Sequence, residues 1–105
     1  MSRILFICNQ NQHRSKTAED LFRKKFETKS AGLFSQKPVT KKELSWADVI
    51  FVMEEEQRHE LAKRFPTVYM QKRILNLNVP DIYSCHDPRL IRCLQSRLKE
   101  YADLL

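Results

Sequence analysis

Two short runs, Ile4-Leu5-Phe6-Ile7-Cys8 and Val49-Ile50-Phe51-Val52-Met53, constrain the fold of this chain more than any other feature. Each is apolar throughout and rich in β-branched or aromatic residues. A strand with one wet face alternates apolar and polar side chains. An unbroken apolar run of this length reads instead as a strand covered on both faces, the habit of parallel sheets. Parallel neighbours need crossover connections, and the sequence supplies them. Ser15 to Phe26 reads as a helix with Ala18, Leu21, Phe22 and Phe26 on one face and lysine or arginine on the other. Thr28 to Ala31, ending at Gly32, reads as a second short strand. Thr40, with Glu43 three residues later, is a capping-box start for a short helix to Trp46. Glu54 to Phe65 is helical, acidic at its N-terminal end where the helix dipole favours carboxylates, and Pro66 stops it. A weaker strand is expected within Val68 to Leu77, around Arg73 to Leu75. Asp87-Pro88 is an N-cap followed by proline at the first helical position. Leu90, Ile91, Leu94, Leu98, Tyr101 and Leu105 then make an apolar stripe. Strands alternating with helices mean βαβ units and a parallel sheet.

The length, 105 residues, suits one domain spanning residues 1–105. No apolar run approaches the roughly 20 residues that cross a bilayer, so no membrane partner is expected. Met1-Ser2-Arg3 leads directly into the first strand, without the pattern of a secretory signal. The 3 cysteines are widely spaced and include no Cys-x-x-Cys pair, which argues against a disulfide framework or a zinc site and for free thiols. The expected location is cytoplasmic. His13, His59 and His86 lack metal-ligand spacing, and no cofactor is implied. The chain has 1 glycine, so Gly32 is expected to mark a backbone position that requires it. The formal net charge of +6 fits either a solvated basic surface or an anionic partner, whether a phosphorylated substrate or nucleic acid. Charge alone does not choose, and oligomeric state stays open.

Chemistry concentrates at the first strand-to-helix turn, Cys8-Asn9-Gln10-Asn11-Gln12-His13-Arg14-Ser15. In parallel sheets ligands bind beyond the carboxyl ends of the strands, where helix N-termini attract anions. The turn lacks the glycines and lysine of a nucleotide-binding P-loop. Cysteine, five residues, then arginine has another use. A loop of that length can curl around one tetrahedral phosphate, with the thiolate under the phosphorus and the guanidinium gripping two oxygens. Positive surroundings favour the nucleophilic thiolate. The Ser15 hydroxyl has two readings, a donor to that thiolate or the helix N-cap.

These residues resemble the low-molecular-weight protein tyrosine phosphatases. That family's pattern is an apolar strand, Cys-x5-Arg-Ser and a helix, matched here through Thr17-Ala18-Glu19. Ser30-Ala31-Gly32 is similar to its Ser-Ala-Gly, Ala47 to Glu54 to its third strand, and Val79-Pro80-Asp81-Ile82-Tyr83 to its Asp-Pro-Tyr motif. The resemblance implies an α/β three-layer sandwich around a four-stranded parallel sheet. It implies a phosphomonoester hydrolase acting through a phosphocysteine on Cys8, with Arg14 as clamp, Asp81 as general acid and base, and phosphotyrosine as the substrate. Asn9, Gln10, Asn11, Gln12, His13 and Ser15 would form the cradle, and Tyr83 would line its mouth. Asn11 would hold the loop's shape in a left-handed conformation, braced by Ser30. Trp46 is read either as a flank for an aromatic substrate or as a helix-to-core contact. Gln10 replaces a family glycine, so a strained cradle is expected. His13 replaces a second loop cysteine.

Two rival readings remain from the sequence. A thiol-dependent arsenate reductase uses the same fold and loop but needs two relay cysteines. Val49 to Glu56 holds none, and Cys85 and Cys93 come later. A catalytically silent phosphate- or nucleic-acid-binding module would need no thiol, which the set Cys8, Arg14 and Asp81 argues against. Asp87 competes with Asp81 for the acid role but has a ready use as the last helix's cap.

Overall fold

The computed structural model describes residues 2–105. The chain folds in the order β1 (Arg3–Cys8), α1 (Arg14–Phe22), β2 (Glu27–Gly32), α2 (Lys41–Trp46), β3 (Val49–Val52), α3 (Glu55–Arg64), α4 (Pro66–Gln71), β4 (Arg73–Asn76) and α5 (Pro88–Lys99), with a 3₁₀ turn at Ala102–Leu104. The four strands form one sheet in the order β2-β1-β3-β4. Every pairing is parallel: Cys8 lies opposite Gly32, Ile7 opposite Val52, and Val52 opposite Asn76.

Side chains alternate across a strand, so each apolar run feeds two cores. Ile4, Phe6, Cys8, Val49 and Phe51 face α1 and α5, packing with Ala18, Phe22, Leu90, Leu94 and Leu98. Leu5, Ile7, Ile50 and Val52 face the other way, against Leu44, Leu61 and Val68 of α2, α3 and α4. The result is the expected three-layer α/β sandwich. Burial on both faces is why neither run could carry a polar residue without leaving it unpaired.

Local signals hold where hydrogen bonding is local. Thr40 Oγ1 accepts from the Glu43 N–H, and Glu43 Oε1 accepts from the Thr40 N–H. Asp87 Oδ1 accepts from the Arg89 N–H at 2.8 Å. Differences appear at boundaries. Helix α1 runs Arg14–Phe22 rather than from Ser15 to Phe26, with His13 at the N-cap position and no side-chain cap. Ser15 is therefore inside the first turn and is not the cap. Pro66 does end α3, but it also opens α4 as that helix's first residue, where its missing N–H costs nothing. The apolar Val68, read with the following strand, belongs to α4 and packs in the second core.

Candidate active site

The sheet register brings the carboxyl ends of β1, β2 and β3 together, and the loop 9–13 rises from β1 at that edge. Asn11 has φ of 55°, the left-handed region that asparagine tolerates better than most residues. The turn folds the chain back over Cys8, so that the Asn11 N–H donates to Cys8 Sγ at 3.2 Å. Gln10 is not among the positive-φ residues. The expected strain at that position does not occur, because Asn11 alone makes the left-handed turn.

Ser15 Oγ lies 2.9 Å from Cys8 Sγ and 2.9 Å from Asn11 Oδ1. A hydroxyl carries one proton. It donates to Asn11 while the sulfur is a thiol, and can swing to the sulfur once that becomes a thiolate. The brace on Asn11 is thus Ser15 and not Ser30, whose hydroxyl donates to Glu19 Oε1 at 2.8 Å. Gly32 packs beneath the loop. A β-carbon there would lie 3.0 Å from Asn11 N, Asn9 O and Gln10 C. The glycine is required by close backbone approach and not by a positive φ.

Arg14 is only 2 % exposed. Its Nη1 donates to Glu54 and to the Val79 carbonyl, the latter at 2.9 Å. Its Nε lies 3.8 Å from Asp81 Oδ1. Cys8, Asn9, Gln10, Gln12, His13, Arg14 and Asp81 line one shallow cavity of about 50 Å³. Asp81 is 59 % exposed on its side chain, open to an incoming group. A larger apolar groove of about 550 Å³ lies between the ends of α1 and α5. Its lining holds Lys25 and Lys99 but no cysteine, whereas Cys8 lines the smaller cavity.

Of the residues named from the sequence, Asn11, Ser15 and Tyr83 do not line this cavity. Asn11 and Ser15 contact the Cys8 sulfur, whereas Tyr83 packs against the first core and carries Arg89 at 5.6 Å from its ring centroid. Trp46 packs against the second core under Lys29, whose Nζ is 4.5 Å from the ring centroid. It sits before β3, away from the loop, and is a core contact. His13 Nδ1 is buried without a hydrogen-bond partner among the described residues. Asp87 caps α5, and its carboxyl is held below the ordinary range by the side-chain hydrogen bond from Arg89, with that residue's N–H adding to it. Cys85 and Cys93 are free thiols outside the cavity; Cys85 lies 3.2 Å from His86 Nδ1.

Sequence reasoning passed over three residues. Glu54 pairs with Arg14. Gln57 joins β3 to the loop, accepting from the Met53 and Glu54 N–H groups at 2.7 and 3.0 Å and donating to Asn9 Oδ1 at 3.0 Å. Phe34 N–H donates to Asn9 O at 2.8 Å; the residue is 54 % exposed, with the Arg64 guanidinium 4.9 Å from its ring centroid. The available signal was position: Glu54 immediately follows a buried strand, where side chains reach the ligand edge of a parallel sheet.

No family model and no curated protein matches the sequence. Solved structures do match it. One is the tyrosine phosphatase Wzb from Escherichia coli K30, solved in complex with phosphate. The match has TM-score 0.80, 21% identity, and covers 100% of this chain and 99% of that one. The low-molecular-weight protein tyrosine phosphatase of T. tengcongensis matches with TM-score 0.78 and 19% identity over 100% of both chains. The YwlE arginine phosphatase of Geobacillus stearothermophilus matches with TM-score 0.73 and 22% identity, covering 99% of this chain and 94% of that one. The chain has the low-molecular-weight phosphotyrosine phosphatase-like fold.

Proposed function

We propose that residues 1–105 act as one cysteine-dependent phosphatase domain that hydrolyses phosphotyrosine on proteins. One observation carries this reading: the Cys8 sulfur lies under a loop N–H and a hydroxyl, in the same cavity as a buried guanidinium and an exposed carboxyl group. A bound phosphoryl group would rest on the loop between them. Cys8 Sγ attacks phosphorus, the bond to the leaving oxygen breaks, and Asp81 delivers a proton to that oxygen. Water then attacks the phosphocysteine, Asp81 takes its proton, and inorganic phosphate leaves with the thiolate restored. Arg14 and the loop N–H groups stabilise the charge on the transferring group. No metal or redox partner enters either step.

The arginine phosphatase among the similar structures makes phosphoarginine the comparison to run. Cys8 lines the cavity but Cys85 and Cys93 do not, which speaks against an arsenate-reducing thiol relay.

The test is turnover of phosphotyrosine and phosphoarginine peptides, an aryl phosphate, and arsenate with thioredoxin. Phosphotyrosine and the aryl phosphate should turn over, and Cys8→Ser should abolish this while inorganic phosphate still binds. Near-native turnover by Cys8→Ser would refute the covalent mechanism, and a clear preference for phosphoarginine would refute the substrate.

A further inference from the structure

The segment between β4 and α5 brings a second cysteine against a histidine and a carboxylate. Helix α1 carries Thr17 and Asp20 three residues apart, and so on one face. His86 is fastened to both. Its N–H donates to Thr17 Oγ1 at 2.9 Å, and its Nε2 lies 2.8 Å from Asp20 Oδ2. The His86 backbone has φ of 61°, in the left-handed region that few residues other than glycine enter. With the ring held in this way, Nδ1 lies 3.2 Å from Cys85 Sγ. Thr17 is fully buried. Its oxygen accepts from His86, and its own proton points to the same sulfur at 3.6 Å.

A carboxylate only accepts hydrogen bonds. Asp20, which also pairs with Arg23, therefore holds the ring proton on Nε2 and leaves Nδ1 bare in front of the thiol. Thiol, imidazole and carboxylate stand in a row, as nucleophile, base and orienting group do. The imidazole separates the other two, so the three do not converge on one point as metal ligands would. Among the described residues no group of His, Cys, Asp and Glu side chains does so. Cys85 is half-buried and the His86 side chain is 53 % exposed, so a small molecule can reach the sulfur. Cys93, also a free and half-buried thiol, sits on α5 and packs against the first core instead.

We propose that Cys85 is a modification site that takes low-molecular-weight disulfides into a mixed disulfide, with His86 as its base and Asp20 as the orienting residue. His86 Nδ1 accepts the thiol proton, and Cys85 Sγ attacks one sulfur of the disulfide. The new S–S bond forms as the old one breaks, and the departing thiolate takes the proton from the imidazolium. One disulfide is consumed and one thiol is released, so no further oxidant is required. Cys85 lies outside the lining of the Cys8 cavity, and the proposal stands apart from the phosphatase reading. The rival role is purely structural: His86 ties the segment to α1, and Cys85 is a bystander. Only reactivity separates the two.

Oxidised glutathione is the probe, added to the full chain at neutral pH. Adducts at Cys85 and Cys93 are followed in time by peptide mass spectrometry. Cys85 should react at least about tenfold faster than Cys93, since a placed base contributes about 10²–10⁴-fold. Asparagine tolerates the left-handed backbone but supplies no base. His86→Asn should therefore slow Cys85 by about tenfold or more and leave Cys93 unchanged. Asp20→Asn can donate to Nε2 and so move the ring proton to Nδ1, which should slow Cys85 as well. Cys93 reports on folding, because an unfolded chain would expose both thiols; if one variant unfolds, the other decides. A wild-type Cys85 that reacts no faster than Cys93 overturns the proposal, as does an unchanged Cys85 rate in either folded variant.

Discussion

Gly32→Ala tests whether the end of β2 builds the loop. The added β-carbon meets three backbone atoms, Asn11 N, Asn9 O and Gln10 C, each at 3.0 Å. Contacts this short are tighter than nearly all real β-carbon contacts, so each atom must give by a few tenths of an ångström. Backbone cannot rotate aside as a flexible side chain can. Leu33 N–H also donates to Cys8 O and Phe34 N–H to Asn9 O, at 3.0 and 2.8 Å, holding the two chains together. Overpacking of this kind costs about 1–3 kcal/mol. In a chain of about 100 residues, each kcal/mol moves the melting temperature by about 4–8 °C, so a fall of roughly 5–20 °C is expected. Asn11 is both the left-handed residue and a donor to the Cys8 sulfur, so its displacement should also cost about tenfold or more in kcat/KM. Calorimetric melting and steady-state hydrolysis of an aryl phosphate read the two effects. A variant melting within about 1 °C of wild type with unchanged kcat/KM would show that the loop does not rest on β2.

Arg14→Lys keeps the charge and loses the planar fork; kcat/KM should fall by more than about tenfold, or 1.4 kcal/mol, and a smaller loss would argue against a two-point grip. Asp81→Asn should slow a substrate with a poor leaving group by about 10²–10⁴-fold, the range of general-acid catalysis. It should slow a nitrophenyl ester far less, provided phosphorylation of Cys8 limits the rate. Asp87→Asn should leave kcat unchanged, since asparagine also caps, and leaving-group-dependent loss in that variant would move the acid to the start of α5. The lowered carboxyl pKa of Asp87 has a stability consequence of definite sign. Its ionised form favours the fold above the unfolded value near 3.9, and the benefit disappears as pH falls through the lower folded value. The melting difference between wild type and Asp87→Ala should therefore shrink on acidification below about pH 4; a difference that grows would refute the ionised cap.

The elements with local causes were legible in the sequence. The runs Ile4–Cys8 and Val49–Met53 announced doubly covered strands, because a polar residue in either would be buried without a partner. The Thr40/Glu43 and Asp87/Pro88 starts were legible because a cap is satisfied within three residues. Cys8 and Arg14 were legible because a loop between a strand and a helix fixes their separation. What the loop leans on was decided only by tertiary structure. Arg14 reaches Glu54 across 40 residues and Val79 O across 65, through strand register and a loop path that no local pattern encodes. The same holds for the choice of Ser15 over Ser30 as the brace on Asn11, and for Trp46 and Tyr83, which joined the cores and left the cavity wall to polar residues. α4 was missed because proline and β-branched residues read as a break when local preference is weighed alone. Packing against the second core made a helix of them. Periodicity and caps depend on neighbours in the chain, whereas the aim of a buried charge depends on which distant partner the folded sheet brings within reach.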